Sequence, residues 1–475
     1  MRASIDFILN GERLSLAGED PTRTVLTWLR EGRGLVGTKE GCAEGDCGAC
    51  TAVLVERHGA ELRYLPINTC IQCLATLDGR ELVTVEALKP LYEGALHPVQ
   101  QAMVDCHGSQ CGFCTPGFVM ALYAHYKSAG AASREAICDA IAGNLCRCTG
   151  YRPILEAGER APQLAQAGRD RAEDAARRTR LESLPADATL INANGKTFFV
   201  PATAEELAAF LAENPAAVIL AGGTDLGLLI TKSHQDLPLV AYTGRIAELR
   251  RVTETATHVE VGGAATYADA QAALSALHPD FAELLRRLGA AQIRAAGTLA
   301  GNVANGSPIG DSMPLLLALG AEVVLQKGAQ RRTVALERFY TGYRKSVLAR
   351  GEFIRAIRVP KLAAGARFAA YKLSRRFDQD ISTLCAAFHV DASGKARFGF
   401  GGMAATPARA PSAEAAYAKG VEEACAALAK DFQPLDDHRG SAWYRITAAQ
   451  NLLRKFHLES QGKCATRVLE VPVEA

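Results

Sequence analysis

Apolar and polar positions alternate from the first residues. Ile5, Phe7 and Leu9 are spaced by two, as are Leu14 and Leu16, and Asn10-Gly11 between them suits a two-residue hairpin turn. Antiparallel strands are therefore predicted over 5–9 and 13–16. The period then changes: Val25, Leu26 and Leu29 share a helical face across 24–30, after which 51–56 and the 75–85 region return to strand-like runs. From about 88 to 160 the spacing is helical. Helices are predicted over 99–106, 116–127, 134–142 and from 154 onward, with start signals at Thr115-Pro116 and Ser133, and four short helices imply a bundle.

A charged stretch follows, Arg169-Asp170-Arg171-Ala172-Glu173-Asp174, inside an alanine- and arginine-rich run ended by Pro185. It reads as an exposed helix or a tether, its charges a solvated face. Strands and helices then alternate: strand 197–200, the capping sequence Thr203-Ala204-Glu205-Glu206, a helix to about 213 and an apolar strand over 217–220. Past 365 the pattern predicts strands over 366–373, 382–390 and 397–403, then helices over 413–428 and 442–455. The chain thus divides into a β-rich unit (1–85), a helical unit (86–160), a linker (161–184) and two α+β units (185–363 and 364–475).

Composition narrows the classes. A net charge of +2 over 475 residues leaves no electrostatic footprint for nucleic acid. No apolar run is long enough to span a bilayer, and the first residues read as a strand and not as a secretory leader, so a cytoplasmic protein without membrane attachment is expected. Eleven of the fourteen cysteines fall before residue 149, a clustering that points to cofactors and not to a disulfide framework. Cys385, Cys425 and Cys464 stand singly and read as ordinary thiols.

The densest run is Gly41-Cys42-Ala43-Glu44-Gly45-Asp46-Cys47-Gly48-Ala49-Cys50, with Cys70 further on. Small residues let such a loop turn tightly, gather thiolates on one side and aim backbone N–H groups at sulfur. The C-x4-C-x2-C spacing resembles plant-type ferredoxins, whose 2Fe-2S cluster sits in a β-grasp fold, with Cys42, Cys47, Cys50 and Cys70 as ligands. Cys73 competes for the fourth place, and the resemblance favours Cys70. A second set, Cys111 and Cys114 before one predicted helix and Cys146 and Cys148 after another, suits a four-coordinate metal; from spacing alone a structural zinc site is the lesser but serious alternative there.

Two loops carry a different chemistry. Ile219-Leu220-Ala221-Gly222-Gly223-Thr224-Asp225-Leu226 brings a strand into a glycine pair whose N–H groups suit a pyrophosphate, although a plain turn has the same composition. It contains no G-x-G-x-x-G, so a nucleotide here is not held in the Rossmann manner. The second loop, Ala296 to Ser312, includes Thr298-Leu299-Ala300-Gly301-Asn302 and Asp311 and is too polar for core.

The segments Gly108-Ser109-Gln110-Cys111-Gly112-Phe113-Cys114-Thr115-Pro116-Gly117 and Asn144-Leu145-Cys146-Arg147-Cys148-Thr149-Gly150-Tyr151-Arg152-Pro153 resemble, almost residue for residue, the second iron–sulfur domain of the molybdenum hydroxylases. With the ferredoxin-like unit the resemblance covers the first 160 residues, and the second loop extends it to the flavin segment of split-gene members of the xanthine dehydrogenase type. What it implies is a multidomain α+β chain: a β-grasp 2Fe-2S domain, a four-helix-bundle 2Fe-2S domain, an FAD-binding α+β domain of the vanillyl-alcohol-oxidase/molybdenum-hydroxylase type and a C-terminal α+β flavoprotein domain. It implies two 2Fe-2S clusters, with the Cys111, Cys114, Cys146 and Cys148 cluster nearer the molybdenum centre, and FAD against 219–226, Thr298 to Asn302, Asp311, Ile354 and Lys372. Ala300 stands where the family has a second glycine; were φ positive there, alanine would be strained by about 1 kcal/mol. For Asp311 and Lys372 taken singly, a surface ion pair is the plainer role, and Arg375, Arg376 and Asp378 either line the approach of a nicotinamide nucleotide or are solvated.

The implied activity is electron transfer in xanthine dehydrogenase (hypoxanthine to xanthine to urate, NAD as acceptor), with a large molybdopterin-binding catalytic subunit as partner in a heterotetramer of two of each. The equivalent subunit of a hydroxylase for another heterocycle or aldehyde is the alternative. A zinc-stabilised adaptor is the reading from a different class.

Overall fold

The computed structural model describes residues 1–462, so Cys464 lies outside the described residues. The chain forms two compact units, one comprising 1–248 with 289–297, the other 249–288 with the residues from 298 on.

In the first unit, β1 (Ile5–Leu9), β2 (Glu12–Leu16), β3 (Thr51–His58), β4 (Glu61–Asn68) and β5 (Glu81–Val83) form one sheet in the order β2-β1-β5-β3-β4. Leu9 pairs with Glu12, so Asn10-Gly11 closes the expected hairpin. Strand β4 was not expected: Pro66 interrupts its pattern, yet β4 is an edge strand, where a missing N–H is tolerated. The strand expected across 75–85 shrinks to Glu81–Val83, because Leu74–Leu77 forms a 3-10 turn. The helix expected over 24–30 begins at Val25–Thr27, capped by Thr24, and widens into a π turn at Trp28–Gly32 that buries Trp28 and Leu29.

Both faces of this sheet are covered. Ala52 and Leu54 join a core with Phe7 and Trp28, whereas Val53 and Val55 join one with Phe118, Met120 and Leu122 of the bundle. The bundle helices are Pro98–Asp105, Thr115–Lys127, Arg134–Ile141 and Arg152–Arg160, the third capped by Ser133 as expected.

The charged run forms the helix Ala167–Glu182, one of the two forms expected, but it is not a wholly solvated face: Arg177 is fully buried, donating to Glu81 Oε2 at 2.9 Å, the Tyr64 hydroxyl at 3.0 Å and the Tyr123 hydroxyl at 3.1 Å. Composition gave a solvated face because the partners that make burial tolerable lie on β5, β4 and the Thr115–Lys127 helix, far away in sequence. A second sheet, β6 (Thr189–Ala193), β7 (Lys196–Val200), β8 (Val218–Leu220) and β9 (Leu239–Tyr242), has the order β6-β7-β9-β8. Its helix Ala204–Glu213 starts with the expected Thr203/Glu206 capping box.

The second unit contains an antiparallel sheet of β10 (Val252–Glu254), β11 (His258–Gly262), β12 (Glu322–Lys327), β13 (Gln330–Ala335) and β16 (Phe353–Pro360), ordered β10-β11-β16-β12-β13, with a small hairpin of β14 (Tyr340–Gly342) and β15 (Lys345–Ser346). Its core takes Leu299 and Val303 from the helix Leu299–Asn305 and Met313 to Leu317 from the helix Ser312–Leu319. The expected C-terminal strands appear as the meander β17 (Arg367–Leu373), β18 (Leu384–Val390), β19 (Ala396–Gly401) and β20 (Ala408–Arg409), against the helices Val421–Asp431 and Ala442–Ser460. The architecture is multidomain α+β. Among the described residues no helix is long and apolar enough to cross a membrane.

Candidate functional site

Strand pairing builds the first thiol set. Thr51 and Asn68 face each other across β3 and β4, which places Cys50 and Cys70 just beyond paired strand ends, and the Thr69 hydroxyl donates to the Cys50 carbonyl at 2.8 Å. Both thiols are buried with Leu26 and Ile71. The loop returns Cys42 and Cys47 to them: Cys42 is hydrogen-bonded to Cys47 and Cys70, and Cys50 to Cys70. This sharing depresses the Cys42 and Cys50 thiols and raises those of Cys47 and Cys70. The N–H groups of Asp46 and Cys47 point at Cys42 Sγ from 3.4 and 3.3 Å. Cys73 is elsewhere, in the core with Val25 and Trp28, where burial pushes its thiol up to about 12. Lys232, which sequence reasoning did not single out, donates to the Cys42 carbonyl at 2.6 Å.

The second set is assembled from helix ends. Cys111 and Cys114 precede the Thr115–Lys127 helix, Cys146 and Cys148 precede the Arg152–Arg160 helix, and the thiols meet as Cys111 with Cys148 and Cys114 with Cys146. The Thr149 hydroxyl lies 3.1 Å from Cys146 Sγ, and the Cys146 N–H donates to the Tyr151 hydroxyl at 2.9 Å. Burial first, then the bond to Cys146, pushes Cys114 up to about 12. Cys111 and Cys148 are exposed, and Gly112, next to Cys111, lines a groove with Leu96, Met103, Val104 and Val119.

The two loops touch. The Leu145 N–H donates to the Cys47 carbonyl at 3.0 Å. A Cβ on Gly48 would stand 2.2 Å from the Gly143 carbonyl, so only glycine permits this approach.

The 219–226 stretch lies wholly in the first unit. Ile219 and Leu220 end β8, Ala221 to Asp225 form the loop, and Leu226 starts the helix Leu226–Thr231. Gly222 is held against the end of the helix Ala291–Ala296, where a Cβ would lie 2.1 Å from the Ala296 carbonyl. The remaining flavin candidates belong to the second unit. Thr298 caps Leu299–Asn305, its hydroxyl accepting from the Gly301 N–H at 2.9 Å, and Asn302 accepts from Ser312. Ala300 is an ordinary residue of that helix without positive φ, so the departure from the family pattern carries no strain.

Asp311 and Lys372 are not surface charges. Both are buried and they pair with each other at 2.7 Å; Ser382 donates to the second Asp311 oxygen, and Lys372 also donates to the Arg287 carbonyl at 3.0 Å. Sequence reasoning missed Ser382 and Arg287 because no local pattern links positions so far apart. Ile354 is buried on β16. Arg376 pairs with Asp380 at 3.5 Å, Arg375 reaches the His438 carbonyl, and Arg286 and Arg287 lie over the exposed Phe377 ring.

Four family models match in chain order: a 2Fe-2S iron-sulfur cluster binding domain (7–78), a 2Fe-2S binding domain (84–159), the FAD binding domain in molybdopterin dehydrogenase (193–362) and the CO dehydrogenase flavoprotein C-terminal domain (369–460). Xanthine dehydrogenase of Drosophila subobscura is 33% identical over 85% of this chain and 35% of its own length. That of Emericella nidulans is 31% identical over 96% of this chain and 38% of its own length. The chain thus spans a little over a third of these curated relatives. Among solved structures, a carbon monoxide dehydrogenase from Hydrogenophaga pseudoflava lacking the Mo-pyranopterin moiety of its cofactor has 29% identity and a TM-score of 0.52, covering 56% of this chain and 98% of that one. Reconstituted CO dehydrogenase from Oligotropha carboxidovorans has 28% identity and a TM-score of 0.52, covering 56% and 97%. With the iron–sulfur domains followed by the flavoprotein domains in unbroken order, the chain belongs to the molybdenum hydroxylase family.

Proposed function

We propose that the chain is the electron-transfer part of a xanthine dehydrogenase, holding two 2Fe-2S clusters and FAD and delivering electrons to NAD from a molybdopterin-bearing partner. The observation that carries it is the gathering of eight thiols into two four-membered sets: Cys42, Cys47, Cys50 and Cys70, linked through Cys42 and Cys70, and Cys111, Cys114, Cys146 and Cys148, which meet as Cys111 with Cys148 and Cys114 with Cys146. Such sets fit a two-iron centre, each iron taking two thiolates. When bound, the clusters pass single electrons and FAD exchanges one or two, which couples a two-electron oxidation elsewhere to a nicotinamide acceptor.

The chain's own residues do the holding. Backbone N–H groups of Asp46 and Cys47 stabilise charge on the Cys42 sulfur, and Thr149 does so at Cys146. The glycine pair at 222–223, between the strand Val218–Leu220 and the helix Leu226–Thr231, is the segment that would hold a phosphate. In the second unit Asp311 holds the Lys372 ammonium in place, and these two, with Thr298 and Asn302 at a helix start, are the residues that would hold the flavin. Phe377, with Arg286 and Arg287 over its ring, supplies an aromatic and cationic surface suited to a nicotinamide nucleotide.

The exposed Cys111 and Cys148, with the apolar groove that Gly112 lines, support docking of the large molybdopterin subunit there, in a complex of two of each. Free thiols at cluster spacing go with a cytoplasmic setting. Purified chain should contain about four iron atoms, show iron–sulfur and flavin absorbance, and with its copurified partner reduce NAD when given xanthine. A colourless zinc protein would return the adaptor reading. The likeness to CO dehydrogenases supports one further reading, a hydroxylase for another substrate, and iron-replete complex inert towards xanthine would favour it.

A further inference from the structure

Where the two thiol loops adjoin, a side chain from a distant part of the sequence enters the junction. Asn144, two residues before Cys146, is buried, and its amide nitrogen donates to the Gly48 carbonyl at 2.9 Å and to Thr51 Oγ1 at 3.2 Å. The Gly48 carbonyl only accepts, so Asn144 must present nitrogen to it and oxygen to the opposite side. On that side stands Gln292 of the helix Ala291–Ala296, 1% exposed, whose Nε2 is 2.9 Å from Asn144 Oδ1 and 3.1 Å from Thr51 Oγ1. Its Oε1 is buried and has no hydrogen-bond partner among the described residues, facing Gly143 so closely that a Cβ there would lie 2.2 Å away. A buried amide with one end unmet weakens folding, so stability alone does not account for glutamine at this place.

We infer that Gln292 is a positioning residue that, through Asn144, locks the Gly48–Thr51 backbone of the first thiol loop to the 144–146 segment of the second and so fixes the separation of the two centres. The contact it keeps closed is the Leu145 N–H to Cys47 carbonyl bond, which joins the residue before one ligand to another ligand directly. Gln292 donates into both sides of this junction at once, to Thr51 of the first loop and to Asn144 of the second, which neither loop does from within itself. The inference rests on both sets holding iron–sulfur clusters.

Gln292→Met keeps length and removes both donors; Gln292→Leu, a smaller apolar replacement, is the second variant. Each would be purified as the full chain with whatever partner accompanies it. Iron per chain and visible absorbance test the underlying reading, and a colourless wild type would overturn that reading whatever the variants do. With iron unchanged, the lock predicts an altered magnetic splitting between the two reduced centres in low-temperature EPR. It also predicts amide exchange at Leu145 faster by roughly five- to tenfold, as expected on losing one buried hydrogen bond. Splitting and Leu145 exchange equal to wild type in an iron-replete variant would overturn it.

Discussion

The two thiol sets hold the same number of sulfurs in opposite surroundings. The first is tied to a strand pair and buries Cys50 and Cys70 among apolar side chains; the second hangs on helix ends and leaves Cys111 and Cys148 exposed. Burial and hydrogen bonding to sulfur tune a cluster's potential, so one cofactor type in two such environments gives two potentials and a preferred direction of transfer. The first set keeps two of its four thiols buried, whereas the second has none buried and two exposed.

The comparison is broken most severely by removing a ligand from one side. Cys50→Ser and Cys148→Ser should each abolish one EPR signal and about half the iron while sparing the other set; joint loss of both signals from either change would show that the sets are not independent. Next in size is Arg177→Met, which leaves Glu81 buried with only the more distant Arg180 guanidinium at 3.7 Å and should destabilise by about 3 kcal/mol in chemical denaturation. A further test lies in acid. Burial first, then the charges of Lys127 and Arg177, hold His97 at about 3 against its ordinary 6.5, so it is neutral when folded and takes a proton on unfolding. Its contribution is complete above pH 6.5 and is lost as pH falls towards about 3; His97→Asn, which still offers a capping oxygen, should flatten that acid limb in pH-dependent melts. The smallest intrinsic effect belongs to Val104→Asp, on the exposed wall of the groove beside the second set. It should change the chain's own stability by no more than about 0.5 kcal/mol yet reduce copurification of the proposed molybdopterin-bearing partner.

The grouping of thiols was legible because a loop that gathers them must write its spacing into consecutive residues. Hairpin, bundle helices and the Thr203/Glu206 capping box were legible for the same reason, each being encoded within a few positions. What escaped were relations across the chain. Strand β4 hid behind Pro66, which is harmless only because its neighbour on one side is absent. Asp311 and Lys372 stood out separately as polar residues, but their pairing spans 61 positions. Gln292 carries no motif at all; its meaning lies in Asn144 and Thr51, 148 and 241 residues away.

The buried Arg177 has a practical corollary for anyone dissecting this chain. A fragment ending near residue 85 looks like a stand-alone ferredoxin module, but it strands the Glu81 carboxylate and the Tyr64 hydroxyl beneath a guanidinium that has been cut away. Any piece expected to fold by itself therefore extends at least through the helix Ala167–Glu182 and brings the bundle with it.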